Sequence, residues 1–248
     1  GIDFNTLPLT VEDVIKATRM ILENGVTSFF PTVITNHARK IEELLQVIAK
    51  ACTMDQLTNS VIKGIHLEGP FISRDQEAKG AHDLRYIKEP NWAEFIRWQE
   101  AANGKIKIIT VAPEWDNVPS FIRKCKASGI IVSIGHSNAT AREVKEAILA
   151  GATMSTHLGN GVPTMLRRHP NLIWEQLAAD ELKACVIADG FHLPMSVLKV
   201  FTRAKGKNLM LVSDAVYLAG MKPGKYLTHI GGEVTLTKER KLHLSSNP

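Results

Sequence analysis

The sequence predicts an α/β protein whose parallel strands alternate with helices. Seven short runs rich in valine and isoleucine are nearly continuously apolar, as in strands buried on both faces of a sheet. Amphipathic segments separate these runs, which recur at intervals of roughly 20 to 40 residues. This repeat is typical of either a (β/α)8 barrel or an open doubly wound sheet. Glycine-rich GxGxxG and GxxxxGK[ST] loops are absent, which weakens the nucleotide-binding form of the open sheet.

The predicted elements follow one another without an obvious linker. The strands are predicted at residues 26–34, 61–67, 106–111, 130–134, 152–156, 184–188 and 209–212. Thr10 and Thr140 each precede an acidic residue by three positions, which is typical of a helix N-terminus. Further helices are predicted after Asn36 and from Pro194. A glycine pair at 231–232 predicts a β-hairpin within 217–248, and residues 1–248 are predicted to form a single domain.

Composition excludes several classes of protein. With 44% hydrophobic and 22% charged residues the chain is ordinary for a globular domain, and no window is apolar enough to span a membrane. Three widely spaced cysteines, Cys52, Cys125 and Cys185, indicate reduced core thiols in a cytoplasmic protein. The net charge of +5 is too mild to predict a nucleic-acid partner unless it is concentrated on one face.

Polar residues capable of chemistry follow the predicted strands. They are Glu68, Glu114, His136, His157, Asp189, His192 and Asp214. In a barrel the carboxyl ends of the strands converge on one face, so residues far apart in sequence would share one site. Two imidazoles and a carboxylate suit Zn²⁺ or Fe²⁺, and a further carboxylate suits proton transfer to and from water. Each residue alone has a structural alternative, such as capping a strand or the next helix.

Seven short motifs resemble the N-acetylglucosamine-6-phosphate deacetylases of the amidohydrolase superfamily. They occur in the family's order, at residues 66–70 (HLEGP), 79–82 (KGAH), 112–114 (APE), 135–140 (GHSNAT), 156–160 (THLGN), 188–192 (ADGFH) and 212–215 (VSDA). Each motif is short, but their number and order make the resemblance specific.

The resemblance implies a (β/α)8 TIM barrel of the metal-dependent hydrolase type. It implies one divalent metal ion on Glu68, His136 and His157, with zinc expected, iron, cobalt or manganese as alternatives, and a second metal left open. Asp214 would be the catalytic acid and base, and His82 would help to polarise the acetyl carbonyl. The substrate-binding residues that the resemblance implies are Ala81, Asn160, Gly161, Arg168 and His192, with Arg168 as a phosphate ligand.

The activity implied is hydrolysis of an N-acetyl amino sugar phosphate, N-acetylglucosamine 6-phosphate giving glucosamine 6-phosphate and acetate. A cytoplasmic homodimer is expected by the same resemblance. Compared with the family, the chain is expected to lack the first barrel strand and the accessory β-sandwich. Two alternatives remain open: another amidohydrolase acting on a different N-acetyl amino sugar or a cyclic amide, and a barrel that binds a sugar phosphate or nucleic acid without catalysis.

Overall fold

The order of the strands decides between the two predicted architectures. A computed structural model describes residues 1–230 and 232–245. Seven parallel strands form one sheet in the order β1-β2-β3-β4-β5-β6-β7, so each strand pairs with the next one along the chain. A doubly wound sheet reverses its strand order at a switch point, whereas a (β/α)8 barrel does not. The barrel-type fold is therefore confirmed.

The strands and helices lie close to their predicted positions. The strands of the parallel sheet are β1 Thr32–Ile34, β2 Ile65–Glu68, β3 Ile106–Val111, β4 Ile131–Ile134, β5 Met154–Ser155, β6 Lys183–Ile187 and β7 Leu209–Val212. The helices are α1 Val11–Glu23, α2 Ala38–Met54, α3 Gln56–Val61, α4 Trp92–Ala101, α5 Val118–Ala127, α6 Ala141–Ala150, α7 Leu172–Ala178 and α8 Met195–Lys205. The capping boxes predicted at Thr10 and Thr140 are both formed.

Three local predictions are corrected. The second predicted strand, 61–67, begins only at Ile65, because Val61 is the last residue of α3. The first predicted strand, 26–34, is reduced to three residues, because Pro31 has no backbone N–H to donate and regular pairing begins only after it. The α2 cap is His37 and not Asn36, since the His37 ring accepts the backbone N–H of Arg39.

A second, antiparallel sheet follows the parallel one. It contains β8 Gly224–Thr228, β9 Gly232–Leu236 and β10 Leu242–Leu244, with β9 in the middle. The predicted hairpin is therefore present and extends to three strands, although Gly231 of the predicted turn and residues 246–248 lie outside the described residues. The single-domain assignment of residues 1–248 stays a prediction.

One large apolar core joins the first four strands to the helices around them. A smaller cluster beside β6 and α8 includes Val186, Leu193 and Phe201. The three cysteines are buried and free of disulfides, as predicted. Within the described residues, no helix is both long and apolar enough to cross a membrane.

Candidate metal centre and active site

Three predicted metal ligands converge at the carboxyl end of the sheet. Glu68 is the last residue of β2, while His136 and His157 each lie two residues beyond the ends of β4 and β5. Oε1 of Glu68 lies 3.0 Å from Nε2 of His136 and 3.2 Å from Nε2 of His157. The two Nε2 atoms are 3.0 Å apart. Residues separated by 68 and 89 positions along the chain from Glu68 thus form a triangle of ligand atoms.

The triangle fits a divalent metal ion. Metal bonds of about 2.0–2.2 Å place neighbouring ligand atoms of a tetrahedral zinc site about 3.3 Å apart. Two N–H groups cannot face each other at 3.0 Å, so at least one Nε2 presents a lone pair toward the other ligands. Nitrogen lone pairs and a carboxylate oxygen crowded together in a buried pocket repel one another unless a cation lies between them.

The backbone of the site is held in an uncommon conformation. His136, His157 and Asp214 have φ angles of +48°, +28° and +46°. Among the described residues only two other non-glycine residues, Asn103 and Arg240, have positive φ. Such conformations cost about 1–3 kcal/mol each and persist where the surrounding structure imposes them, often at functional sites. Three predicted site residues are thus distinguished by geometry alone.

A hydrogen bond at Nδ1, the ring nitrogen that does not face Glu68, fixes the orientation of His136. Its Nδ1 donates to the carbonyl oxygen of Ala78 at 2.9 Å, which turns Nε2 toward Glu68. The turn carrying Ala78 is held by Asp75, whose Oδ1 accepts the backbone N–H groups of Glu77 and Ala78. A Cβ atom at Gly161 would lie 2.8 Å from Nδ1 of His136, so only glycine permits this loop to approach the ligand.

Burial and mutual contact shift the pKa values of Glu68 and His157 in opposite directions. Burial raises the pKa of the Glu68 carboxyl, but its contacts with His136 and His157 outweigh burial and hold that pKa well below its usual range. Burial lowers the pKa of His157, but the hydrogen bond and the charge of Glu68 outweigh it and raise that pKa. Nδ1 of His157 is buried without a hydrogen-bond partner among the described residues.

The predicted catalytic residues lie beside this triangle in different environments. Asp214 follows β7 by two residues and is exposed. The protein atoms around its carboxyl group and the charge of Glu68 nevertheless raise its pKa. His82 is buried with its ring centroid 4.4 Å from that of His136. Burial, and then the neighbouring His136, lower the pKa of His82 to about 3, so the ring is neutral near pH 7.

A chain of hydrogen-bonded side chains lies on the strands beneath the ligands. His66 Nε2 is 2.7 Å from the Thr110 hydroxyl, which is 2.8 Å from the Thr156 hydroxyl. The Ser133 hydroxyl completes the chain at 2.6 Å from Thr156. Burial lowers the pKa of His66. The chain satisfies polar groups in a region where apolar side chains fill most barrels, and it supports the strands that carry the ligands.

The predicted substrate-binding residues divide into two groups. Asn160 and Gly161 lie against the ligands: the backbone N–H and side-chain amide of Asn160 donate to the His157 carbonyl at 2.9 and 3.3 Å. Ala81, Arg168 and His192 are exposed. His192 pairs with Asp189 at 2.7 Å. Substrate contact by any of these five residues stays a prediction.

Sequence reasoning missed three residues around the site and gave another no specific role. Thr35, directly after β1, pairs with His82, and Ala78 orients His136. Glu77 accepts the backbone N–H and hydroxyl of Thr164, which joins the loops after β2 and β5. Thr35 follows the same rule of polar residues at strand ends that identified the others. Glu114 accepts hydrogen bonds from Ser137 and Asn138 and therefore braces the loop that follows His136.

Comparison with known proteins supports the resemblance. No protein-family model matches the chain. Curated N-acetylglucosamine-6-phosphate deacetylases from Lysinibacillus sphaericus and Bacillus subtilis are 33% and 36% identical to it over 226 residues, covering 91% and 90% of this chain. The human enzyme of that name is 34% identical over 235 residues, 91% of this chain. The chain spans only 56–57% of the length of these relatives.

Solved structures give the same result. The chain matches N-acetyl-D-glucosamine-6-phosphate deacetylase from Mycobacterium smegmatis with a TM-score of 0.85 at 26% identity, over 96% of this chain and 61% of the other. A mutant of that enzyme in complex with N-acetyl-D-glucosamine-6-phosphate matches with a TM-score of 0.82 at 27% identity, over 92% of this chain and 58% of the other. By sequence and by fold, this chain is homologous to the N-acetylglucosamine-6-phosphate deacetylases over the part of their length that it spans.

Proposed function

We propose that the protein hydrolyses the acetamide bond of N-acetylglucosamine 6-phosphate, releasing acetate and glucosamine 6-phosphate. The observation that carries this proposal is the triangle of Glu68, His136 and His157 at the strand ends. Asp214 is close enough for the charge of Glu68 to help raise the pKa of its carboxyl group. The homologues of that name, and the related enzyme solved with this substrate, support the choice of substrate.

Each residue has a chemical role in this reaction. Glu68, His136 and His157 would hold one divalent ion, zinc being our choice because two imidazoles and a carboxylate suit it. Such an ion supplies a low-pKa water and polarises a carbonyl. Asp214 accepts a proton from the attacking water and delivers it to the amine nitrogen as the C–N bond breaks, a task suited to a carboxyl of raised pKa. His82 donates to the acetyl oxygen as negative charge develops there.

Binding is assigned to the loops around the ligands. Asn160 and Gly161 lie against the ligands, while Ala81 and His192 are placed in the site by the family motifs alone. Arg168 has a guanidinium suited to a phosphate dianion. Its neighbour Arg167 is equally exposed on the same loop and provides a matched control.

Acetate release from phosphorylated and unphosphorylated N-acetylglucosamine tests the activity and the phosphate requirement together. We expect zinc-dependent release from the phosphorylated sugar. R168A should raise KM for that sugar alone, and R167A should leave KM unchanged. Equal rates on both sugars would remove the phosphate role of Arg168 and favour a different amino sugar. Sugar-phosphate binding without any acetate release would favour the non-catalytic barrel.

The remaining assignments follow from the family resemblance and from the buried thiols. We propose a cytoplasmic protein, since its three cysteines are buried and free, as is usual in a reducing compartment. We also propose a homodimer. Light scattering on the purified protein should give twice the monomer mass, and a monomer mass would reject the dimer.

A further inference from the structure

Thr35 contacts both the metal ligand Glu68 and His82. It directly follows β1 and is buried, with 3% of its surface exposed. Its hydroxyl oxygen is 2.9 Å from Nδ1 of His82 and 3.4 Å from the carbonyl oxygen of Glu68. A hydroxyl has one proton, so it either donates to Nδ1, or accepts from an Nδ1–H and donates to the Glu68 carbonyl.

The distances indicate which acceptor receives the proton. A donor–acceptor distance of 3.4 Å is longer than the about 2.5–3.0 Å of ordinary O–H···O bonds. The Glu68 carbonyl already accepts the backbone N–H of Thr35 at 3.0 Å. Nδ1 of His82 has no other partner among the described residues, and at 2.9 Å it is the better acceptor.

We infer that Thr35 is a positioning residue whose hydroxyl donates to Nδ1 of His82 and thereby holds the ring proton on Nε2. Neutral imidazole has one N–H, so an acceptor at Nδ1 requires a donor at Nε2. The inference deepens the proposed function, in which His82 must donate to the acetyl oxygen. With Nε2 unprotonated, the ring would have no proton to donate to the acetyl oxygen.

The grouping of ligand atoms agrees with this assignment. Among the described residues the mutually close metal-ligand set contains Glu68, His136 and His157 but not His82. Three protein ligands leave a position open for water, as catalytic zinc sites require. His82 lies outside this set by position, and a protonated Nε2 makes its ring a donor available to the substrate.

The absence of a side chain at Gly69 leaves room for the Thr35 hydroxyl. A Cβ atom there would lie 2.0 Å from Oγ1 of Thr35, and the φ angle of Gly69 is +83°. Any side chain at this position would occupy the place of the hydroxyl. The motif that supplies Glu68 therefore also protects the contact between Thr35 and His82.

The direct test is the tautomer of His82 in the zinc-loaded protein, read from ¹⁵N–¹H NMR of the histidine side chains and assigned by loss of the signal in H82Q. We expect the proton on Nε2, and a proton on Nδ1 would overturn the inference. This readout needs no substrate. A protein with the Nε2 proton but no deacetylase activity would reject the proposed function and leave the inference standing.

A pair of variants tests the consequence for turnover. T35V removes the hydroxyl at nearly constant volume and should lower kcat about 10- to 100-fold, with KM little changed, as expected for loss of an outer hydrogen-bond partner. T35S keeps the hydroxyl and should retain most of kcat. Zinc content and Tm of both variants separate positioning from misfolding. Native kcat in T35V, or equal losses in both variants, would contradict the inference, and if T35V does not fold, the native tautomer still decides.

Discussion

The ends of β2, β4 and β5 differ sharply from the end of β7, although all carry residues of one candidate site. Glu68, His136 and His157 are only 5–8% exposed. Asp214 is exposed, and on the strand before it Leu211 is 70% exposed. The same rule of strand-end polar residues therefore produces a buried, preorganised ligand set and an exposed carboxylate.

The comparison indicates that metal binding and proton transfer are separable. His136 is held in place without a bound ion, because its Nδ1 donates to the Ala78 carbonyl and Gly161 packs closely against its ring. Asp214 has an uncommon backbone conformation, and the charge of Glu68 acts on its carboxyl group. Substitutions of the ligands at the ends of β2, β4 and β5 should abolish metal binding. Substitutions at the end of β7 should lower the rate of hydrolysis or have no effect.

The largest effect is expected from H136A. It removes one of three ligands and leaves a buried gap, so zinc content and acetate release should both fall to background. H192A is the matched control, because His192 also follows a strand but pairs with Asp189 at the exposed edge. Elemental analysis should find zinc retained in H192A. Zinc retention in H136A would make that histidine structural.

The next largest effect is expected from D214N. The amide cannot accept the water proton, so kcat should fall about 10²- to 10⁴-fold. Zinc content should stay native, because Asp214 does not belong to the ligand set of the described residues. Near-native turnover in this variant would remove the proposed role, and loss of zinc would show that the two functions are not separable.

A pair of leucine substitutions tests the same contrast as stability. Leu67 on β2 is completely buried, whereas Leu211 on β7 is largely exposed. L67A should lower the free energy of unfolding by about 2–5 kcal/mol, and L211A by less than about 0.5 kcal/mol. Urea unfolding measures both. Equal losses would mean that β7 is packed as firmly as β2.

The smallest predicted effect is a pH dependence from His82. Its pKa is about 3 when folded, against an ordinary 6.5, so between these values the unfolded chain binds more protons. The free energy of unfolding should therefore decrease as the pH is lowered through this range, by about 1.4 kcal/mol per pH unit at most. In metal-free protein, H82Q should lose less stability than the native chain between pH 6 and pH 5. Parallel losses would contradict the assigned burial of the neutral ring.

Local patterns in the sequence predicted most of the fold because they depend on near neighbours. All seven parallel strands and the caps at Thr10 and Thr140 follow from burial period and capping chemistry within a few residues. The cap of α2 was mispredicted because Asn36 and His37 are both capable acceptors, and only the loop conformation selects His37. The first residue of the second predicted strand, Val61, likewise proved helical.

The candidate site was predictable where a residue ends a strand and difficult where it acts through space. Glu68, His136, His157 and Asp214 satisfy the strand-end rule. Thr35 satisfies it too, but its importance depends on contact with a histidine 47 residues away, and no spacing in the sequence records that contact. The Ala78 carbonyl has no side-chain signature at all.

Acetate release from N-acetylglucosamine 6-phosphate, followed alongside zinc content as metal is removed and restored, tests the central claim most directly. The account predicts one zinc ion per chain, loss of acetate release when zinc is chelated, and recovery when zinc is added back. It is contradicted if the protein releases acetate at an unchanged rate after elemental analysis shows that no metal remains.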